Sequence, residues 1–199
     1  FRRVLFRSRA PDGTLVLRMQ PTTQMHTARE GELVHYPVRT RLAAQDWRRF
    51  PVSAVSYEDA LAYTRWLDRS GRMPGARLCD EFEWERAGRG ADERIFPHGD
   101  RLAPEDANYD ETYGREALSF GPDEVGSHPA SNSPFGVADL VGSVYELTRS
   151  VRGPDQVVFR GSAWYYDSLT QRLYNRNKGE PTTRSIHIGL RVCADWPRR

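Results

Sequence analysis

The sequence predicts a single α+β domain with two main helices, short strands and long irregular loops. Three observations carry this. Helical spacing with capping residues occurs in two stretches, one opening at Ser56 and one near Asp80. The strand candidates are brief. Between Asp92 and Ser133, Gly, Pro, Asp and Asn are frequent, and Phe96, Tyr109, Tyr113 and Phe120 recur with neither helical nor strand period. With 199 residues, 38% of them apolar, the chain can bury one sizeable core, and a second domain is not required. Charged residues make up 28% with both signs mixed, as in soluble globular chains.

The first nine residues hold four Arg and no acid. They read as a non-native or disordered basic edge and are set aside, leaving residues 10–199 as the single domain. Thr14-Leu15-Val16-Leu17 and Leu33-Val34-His35-Tyr36 are short strand candidates, and Trp47 and Phe50 are expected to anchor a loop onto the core. In the first helix, Ser56 and Asp59 resemble a capping box. Tyr57, Ala60, Leu61, Thr64 and Leu67 share one face, Trp66 is expected to widen it, and Gly71 and Pro74 end the helix. In the second helix, Asp80 and Glu81 suit a first turn, Phe82, Trp84 and Ala87 face the core, and Gly88 and Gly90 end it. Glu81, Glu83 and Glu85 read as solvated helix charge in preference to a catalytic carboxylate pair.

Such a long irregular stretch as 92–133 is usually functional, or held by ions or side-chain hydrogen bonds, and Asn108 and Asp110 are its obvious oxygen donors. Phe135 to Leu147 then reads as a turn, a tight Gly corner and a strand. On a strand, alternate groups point the same way, so the carbonyls of Gly142 and Val144 and the side chain of Glu146 can converge, with Asp139 folding back to join them. That would be a hard oxygen cluster suited to Ca²⁺. On spacing alone, two solvated carboxylates beside a buried strand remain the better reading. Val157-Val158-Phe159-Arg160 and Ile188–Cys193 complete the strands, and residues 165–188 are polar.

Composition excludes several classes. The formal charge of +2 falls to −2 without the first nine residues, so the pI of 8.7 is no sign of nucleic-acid binding. No apolar run approaches a membrane span. Cys79 and Cys193 are far apart, so a disulfide framework and a structural zinc site are not expected, and the chain reads as cytoplasmic.

The ordered motifs Pro51-Val52…Val55-Ser56…Asp59-Ala60, Arg77-Leu78…Glu81…Glu83-Trp84-Glu85, His98-Gly99-Asp100, Ala107-Asn108, Ser133-Pro134-Phe135-Gly136-Val137…Asp139-Leu140-Val141-Gly142-Ser143-Val144-Tyr145-Glu146, Arg160-Gly161-Ser162…Trp164 and Ile188-Gly189-Leu190-Arg191-Val192 resemble the formylglycine-generating-enzyme (sulfatase-modifying factor) family. The match runs from about Pro51 to Asp195, and without the family's usual opening strands the resemblance implies a domain incomplete at its N-terminus. It implies a C-type-lectin-like fold with little regular structure. It also implies structural Ca²⁺, one ion on Asp139, Gly142, Val144 and Glu146, and a second involving Asn108 and residues near Ser119. The resemblance thus reverses the weighting that spacing gave. Ser143 and Tyr145 depart from the family's usual Asn and Trp.

The family's oxidases hold copper(I), a soft ion, on two Cys close in sequence after the Arg-Gly-Gly-Ser-Trp-like motif. Here Tyr166 and Gln171 stand roughly there, so no copper and no formylglycine formation are expected. Sulfoxide synthases of another branch would need a His cluster and an extra helical domain. The expected role is instead a binding module for a peptide, protein or small ligand, contacted through Trp164, Tyr165, Tyr166, Asp167, Tyr174, Asn175, Asn177, Thr182, Thr183, Ser185 and His187. Tyr with Ser, Thr and Asn is the composition of adaptable recognition surfaces, although an ordinary polar loop surface has it too. Similar sequences occur as accessory domains of bacterial Ser/Thr kinases, so a kinase or other domain upstream is a further expectation. The alternative is a formylglycine-generating oxidase acting on a sulfatase cysteine.

Overall fold

The computed structural model describes residues 4–153 and 156–195. It opens with a three-stranded antiparallel sheet of β1 (Val4–Arg9), β2 (Leu15–Gln20) and β3 (His26–Arg29), in that spatial order. The pairing of β1 with β2, from Val4 opposite Gln20 to Arg9 opposite Leu15, corrects the expectation of an unstructured basic edge. Its cause is a local turn signal that was passed over, Pro11-Asp12-Gly13. Gly13 takes φ +84° and the Asp12 carboxylate accepts from the Thr14 amide at 2.9 Å, so the chain reverses there. Residues 1–3 of that edge lie outside the described residues. On β2, Leu17 and Met19 point inward and join Trp47, Phe50, Trp164 and Ile186 in one core cluster.

After the short pair β4 (Val34–His35) and β5 (Ala44–Gln45) comes α1 (Tyr57–Arg69). Its start is the predicted capping box: the Ser56 hydroxyl accepts from the Asp59 amide, and Asp59 accepts from the Ser56 amide. Tyr57, Ala60, Thr64 and Leu67 are buried. Trp66 is not, a correction: it sits one position off that stripe, is 48% exposed and stacks on Tyr63. Then follow β6 (Ala76–Leu78) and α2 (Glu81–Arg89), capped by Asp80. The inner face of α2 is Glu81, Trp84 and Gly88, so Phe82 lies outside at 63% exposure, against expectation. Gly88 is an inner-face residue rather than a terminator, because a Cβ there would meet Leu173 at 2.6 Å; the helix stops at Gly90, φ +69°. Glu81 is not solvated helix charge either. It is buried against Arg176, and that hydrogen-bonded pairing holds its carboxyl below the usual range despite the cost of burial.

From Ala91 to His128 no helix or named strand occurs. The second sheet, β7 (Tyr145–Arg149), β8 (Val157–Arg160), β9 (Asn177–Gly179) and β10 (Ile188–Leu190), has the order β10-β7-β8-β9, with only β10 and β7 parallel. It packs Leu147, Phe159 and Ile188 against Tyr57 and Ala60 of α1. The single terminal strand expected over 188–193 is two: the chain leaves β10, turns at Arg191, and β11 (Val192–Ala194) pairs antiparallel with β6. That pairing sets Val192 opposite Leu78 and brings Cys193 to Cys79. The two form a disulfide with Cα atoms 5.0 Å apart, closing 114 residues of chain. Sequence spacing gave no sign of it.

Candidate functional site

The Gly corner at the head of β7 determines where the site residues go. Asp139 and Ser143 both take left-handed φ, +59° and +61°, and Gly142 has φ +71°. A Cβ on Gly142 would stand 2.2 Å from the Asn108 carbonyl oxygen, so only glycine allows the two backbones to meet. The Ser143 amide then donates to that carbonyl at 2.8 Å, and the Gly142 amide donates to Gly161 at 2.9 Å. The strand begins only at Tyr145. Regular alternation from Gly142 to Glu146, the geometry that was to align their oxygens, therefore does not hold.

Asp139, Val144 and Glu146 nonetheless line one cavity of about 570 Å³, with Phe50, Val52, Tyr63 and Arg191 among its walls. Gly142 and Asn108 lie outside it. Glu146 is buried and its carboxylate is engaged on both oxygens. Arg191 donates to them at 2.8 and 2.7 Å, and the Trp84 indole N–H donates at 2.6 Å. Arg191 also donates to the Ala138 carbonyl at 2.8 Å. Asp139 accepts from the Gly126 amide at 2.7 Å, and burial raises its carboxyl above the usual range. Among the described residues, no three His, Cys, Asp or Glu side chains gather as a metal-binding group. On the expected set, Glu146 is already shared by the Arg191 guanidinium and the Trp84 indole, and Gly142 does not line the cavity that holds Asp139, Val144 and Glu146.

The expected ligand-binding residues divide into groups. Tyr166, Asn177, Ser185 and His187 converge on a cavity of about 300 Å³, completed by Tyr145, Phe159 and Ile188. His187 stands among aromatic rings, with centroids 4.5 Å from Trp164, 5.7 Å from Tyr165 and 5.6 Å from Tyr166. Trp164 is fully buried beneath it and belongs to the core, which corrects its assignment as a contact residue. Tyr165 is 36% exposed and packs on Phe120 at 5.2 Å. Asp167, Tyr174 and Asn175 serve the neighbouring loop. Asp167 accepts from the Thr170 amide, Tyr174 accepts from Arg172, and Asn175 donates to the Thr170 carbonyl. Thr182 is exposed and Thr183 half-buried, and neither lines the cavity.

Tyr145 was missed as a site residue, although its replacement of the usual Trp was the available signal. Its hydroxyl accepts from the Asn177 amide at 3.3 Å, and burial raises its pKa. Asn177 thus fixes one wall of the cavity against β7. Gln171 is fully buried and its amide N–H₂ donates to the Ala163 and Tyr166 carbonyls at 3.3 and 3.0 Å. It ties the two ends of the 163–171 turn and holds Tyr166 against the cavity.

Comparison with known proteins follows the same lines. Residues 19–196 match the family model described as the sulfatase-modifying factor enzyme 1-like domain. The inactive Cα-formylglycine-generating enzyme 2 of Bos taurus is 32% identical over 164 residues, covering 75% of this chain and 52% of that protein. The formylglycine-generating enzyme of Mus musculus is 30% identical over 171 residues, covering 73% and 44%. The solved structure of Treponema denticola variable protein 1 superposes with a TM-score of 0.63 at 15% identity, over 96% of this chain and 92% of that one. That likeness speaks to the fold. The chain spans about half the length of the bovine relative. With the family's motifs in order, a matching model over nearly the whole chain and the same fold in solved structures, the chain belongs to the sulfatase-modifying factor family and has its C-type-lectin-like fold.

Proposed function

We propose that this domain is a non-catalytic member of its family, a binding module that takes a peptide, protein or small ligand in the cavity between Tyr145, Tyr166, Asn177, Ser185 and His187. One observation carries the reading: where the family's oxidases are expected to place their copper-binding thiols, this chain has Tyr166 and Gln171. The Gln171 amide is committed to the Ala163 and Tyr166 carbonyls. The chain's two Cys are bonded to each other and leave no free thiol. A buried neutral amide cannot replace a thiolate toward a soft cation.

The cavity favours recognition. Its walls are aromatic and its polar groups are Asn, Ser, Tyr and His, with no carboxylate among the lining residues. Rigid aromatic surface with a few convergent polar groups suits a neutral or weakly polar side chain. The disulfide favours an oxidising compartment over the cytoplasmic placement expected from composition. No described helix is long and apolar enough to cross a membrane.

The test is a displayed random-peptide library selected on the wild-type domain and on Ser185→Trp, which fills the cavity against its lining residues Tyr145, Phe159 and Ile188, with the fold of the variant checked by circular dichroism. Peptides enriched on wild type and lost on Ser185→Trp support the reading. Peptides retained equally by both place recognition elsewhere.

A further inference from the structure

The loop from Ala107 to Asp123 was expected to be held by an ion on Asn108 and residues near Ser119. The groups found there are oriented differently. The Arg39 side chain, fully buried, enters from the N-terminal part of the chain and uses all three guanidinium nitrogens. Nε donates to the Ser119 carbonyl at 2.7 Å, Nη2 to the Gly121 carbonyl at 2.9 Å, and Nη1 to the Asp123 carboxylate at 2.6 Å. Its plane lies between two tyrosine rings, 3.5 Å from the Tyr36 centroid and 3.9 Å from that of Tyr113. Asn108 turns its amide N–H₂, a donor, toward the Gly121 carbonyl at 3.0 Å.

The surrounding groups complete the same design. The second Asp123 oxygen accepts from the Tyr113 hydroxyl at 2.6 Å and meets His128 Nε2 at 2.8 Å. The Tyr36 hydroxyl donates to the Pro122 carbonyl at 2.9 Å. Gly121 presses on Tyr36 so closely that a Cβ would stand 2.4 Å from its hydroxyl. Two carbonyls and a carboxylate oxygen converging on one point are what a hard cation asks for. Here they converge on a guanidinium. With His128 neutral the charge also matches: one carboxylate balances one guanidinium, whereas a divalent ion at these oxygens would be left half-compensated in a buried site.

We propose that Arg39 is the resident cation of this loop, taking the place that the family resemblance gives to calcium at the Asn108–Ser119 region and making the loop's order independent of metal.

The experiment is hydrogen–deuterium exchange of the wild-type chain in millimolar calcium and in excess chelator, read on peptides covering 107–123, together with Arg39→Met. Exchange of these peptides is expected to be the same in calcium and in chelator. In Arg39→Met it is expected to quicken by about a hundredfold or more, because the Ser119 and Gly121 carbonyls lose their donor and Asp123 loses its guanidinium, keeping only Tyr113 and His128. Loosening of the wild-type loop on chelation overturns the proposal, and so does wild-type protection in Arg39→Met. Should Arg39→Met fail to fold, Arg39→Lys keeps the charge but cannot reach all three acceptors and is read in the same way.

Discussion

Removing the disulfide between Cys79 and Cys193 should lower stability without altering the fold. The bond closes a loop of 114 residues and ties β11 to the end of β6. In the chain-entropy description, a loop of that length contributes about 4–5 kcal/mol by restricting the unfolded chain. For a domain of this size each kcal/mol moves the midpoint by about 2–4 °C, so reduction or a Cys79→Ala, Cys193→Ala double variant should lower Tm by roughly 10–20 °C. The assay is thermal unfolding followed by circular dichroism with and without a phosphine reductant, with thiols counted in denaturant before and after. Cys79 is buried, so the reductant must be added to unfolded chain or during the scan. A reduced protein that melts within about 2 °C of the oxidised one would show that the bond restricts little beyond what β6–β11 pairing already does.

Three further outcomes follow from particular contacts. Gly142→Ala should cost at least about 2 kcal/mol in urea unfolding, since it forces a Cβ onto the Asn108 carbonyl at a left-handed φ; a loss under about 0.5 kcal/mol would refute the close approach. His128 is opposed by burial, but the hydrogen bond and charge of Asp123 outweigh it and raise its pKa above the ordinary 6.5. The stability this contributes is complete below pH 6.5 and lost as pH rises through the folded value, so His128→Gln should flatten the fall in Tm above pH 6.5. Asp139 has a raised pKa, mainly through burial, so its charge costs the folded state stability at neutral pH. Asp139→Asn should therefore leave Tm unchanged or higher at pH 7, and a clear drop that appears only in calcium would show that the carboxylate serves an ion.

Local chemistry made part of this molecule legible from sequence. The Ser56–Asp59 capping box, the burial of Ala60, Thr64 and Leu67, and the absence of helices and strands between Asp92 and His128 all depend on neighbours a few residues away. What was not legible depends on chain reversals and long reach. Phe82 was assigned inward because it is apolar, whereas α2 turns Glu81 inward to meet Arg176, 95 residues distant. The terminal strand divides at Arg191 because Glu146 and the Ala138 carbonyl hold that side chain. Arg39 carried no signal, since its acceptors lie 80 or more residues away.

The candidate site shows the same division. Tyr166, Asn177, Ser185 and His187 were identifiable by composition, and they do share a cavity. Trp164 was included as the first residue of the 164–187 stretch, but its side chain is fully buried in the core. Tyr145 and Phe159 were passed over because they read as strand residues. They are strand residues, but on a sheet whose face forms the cavity wall. Periodicity identifies the face a side chain occupies and leaves open whether that face is packed or lines a cavity.

The central claim, that this domain recognises a ligand and does not oxidise one, is tested most directly by turnover. The chain is supplied with copper(I) and oxygen, incubated with a cysteine-containing sulfatase-motif peptide, and the peptide mass is followed. With Tyr166 and Gln171 at the expected thiol positions, the account predicts that the cysteine peptide is recovered unchanged. Conversion of its cysteine to the aldehyde would contradict it.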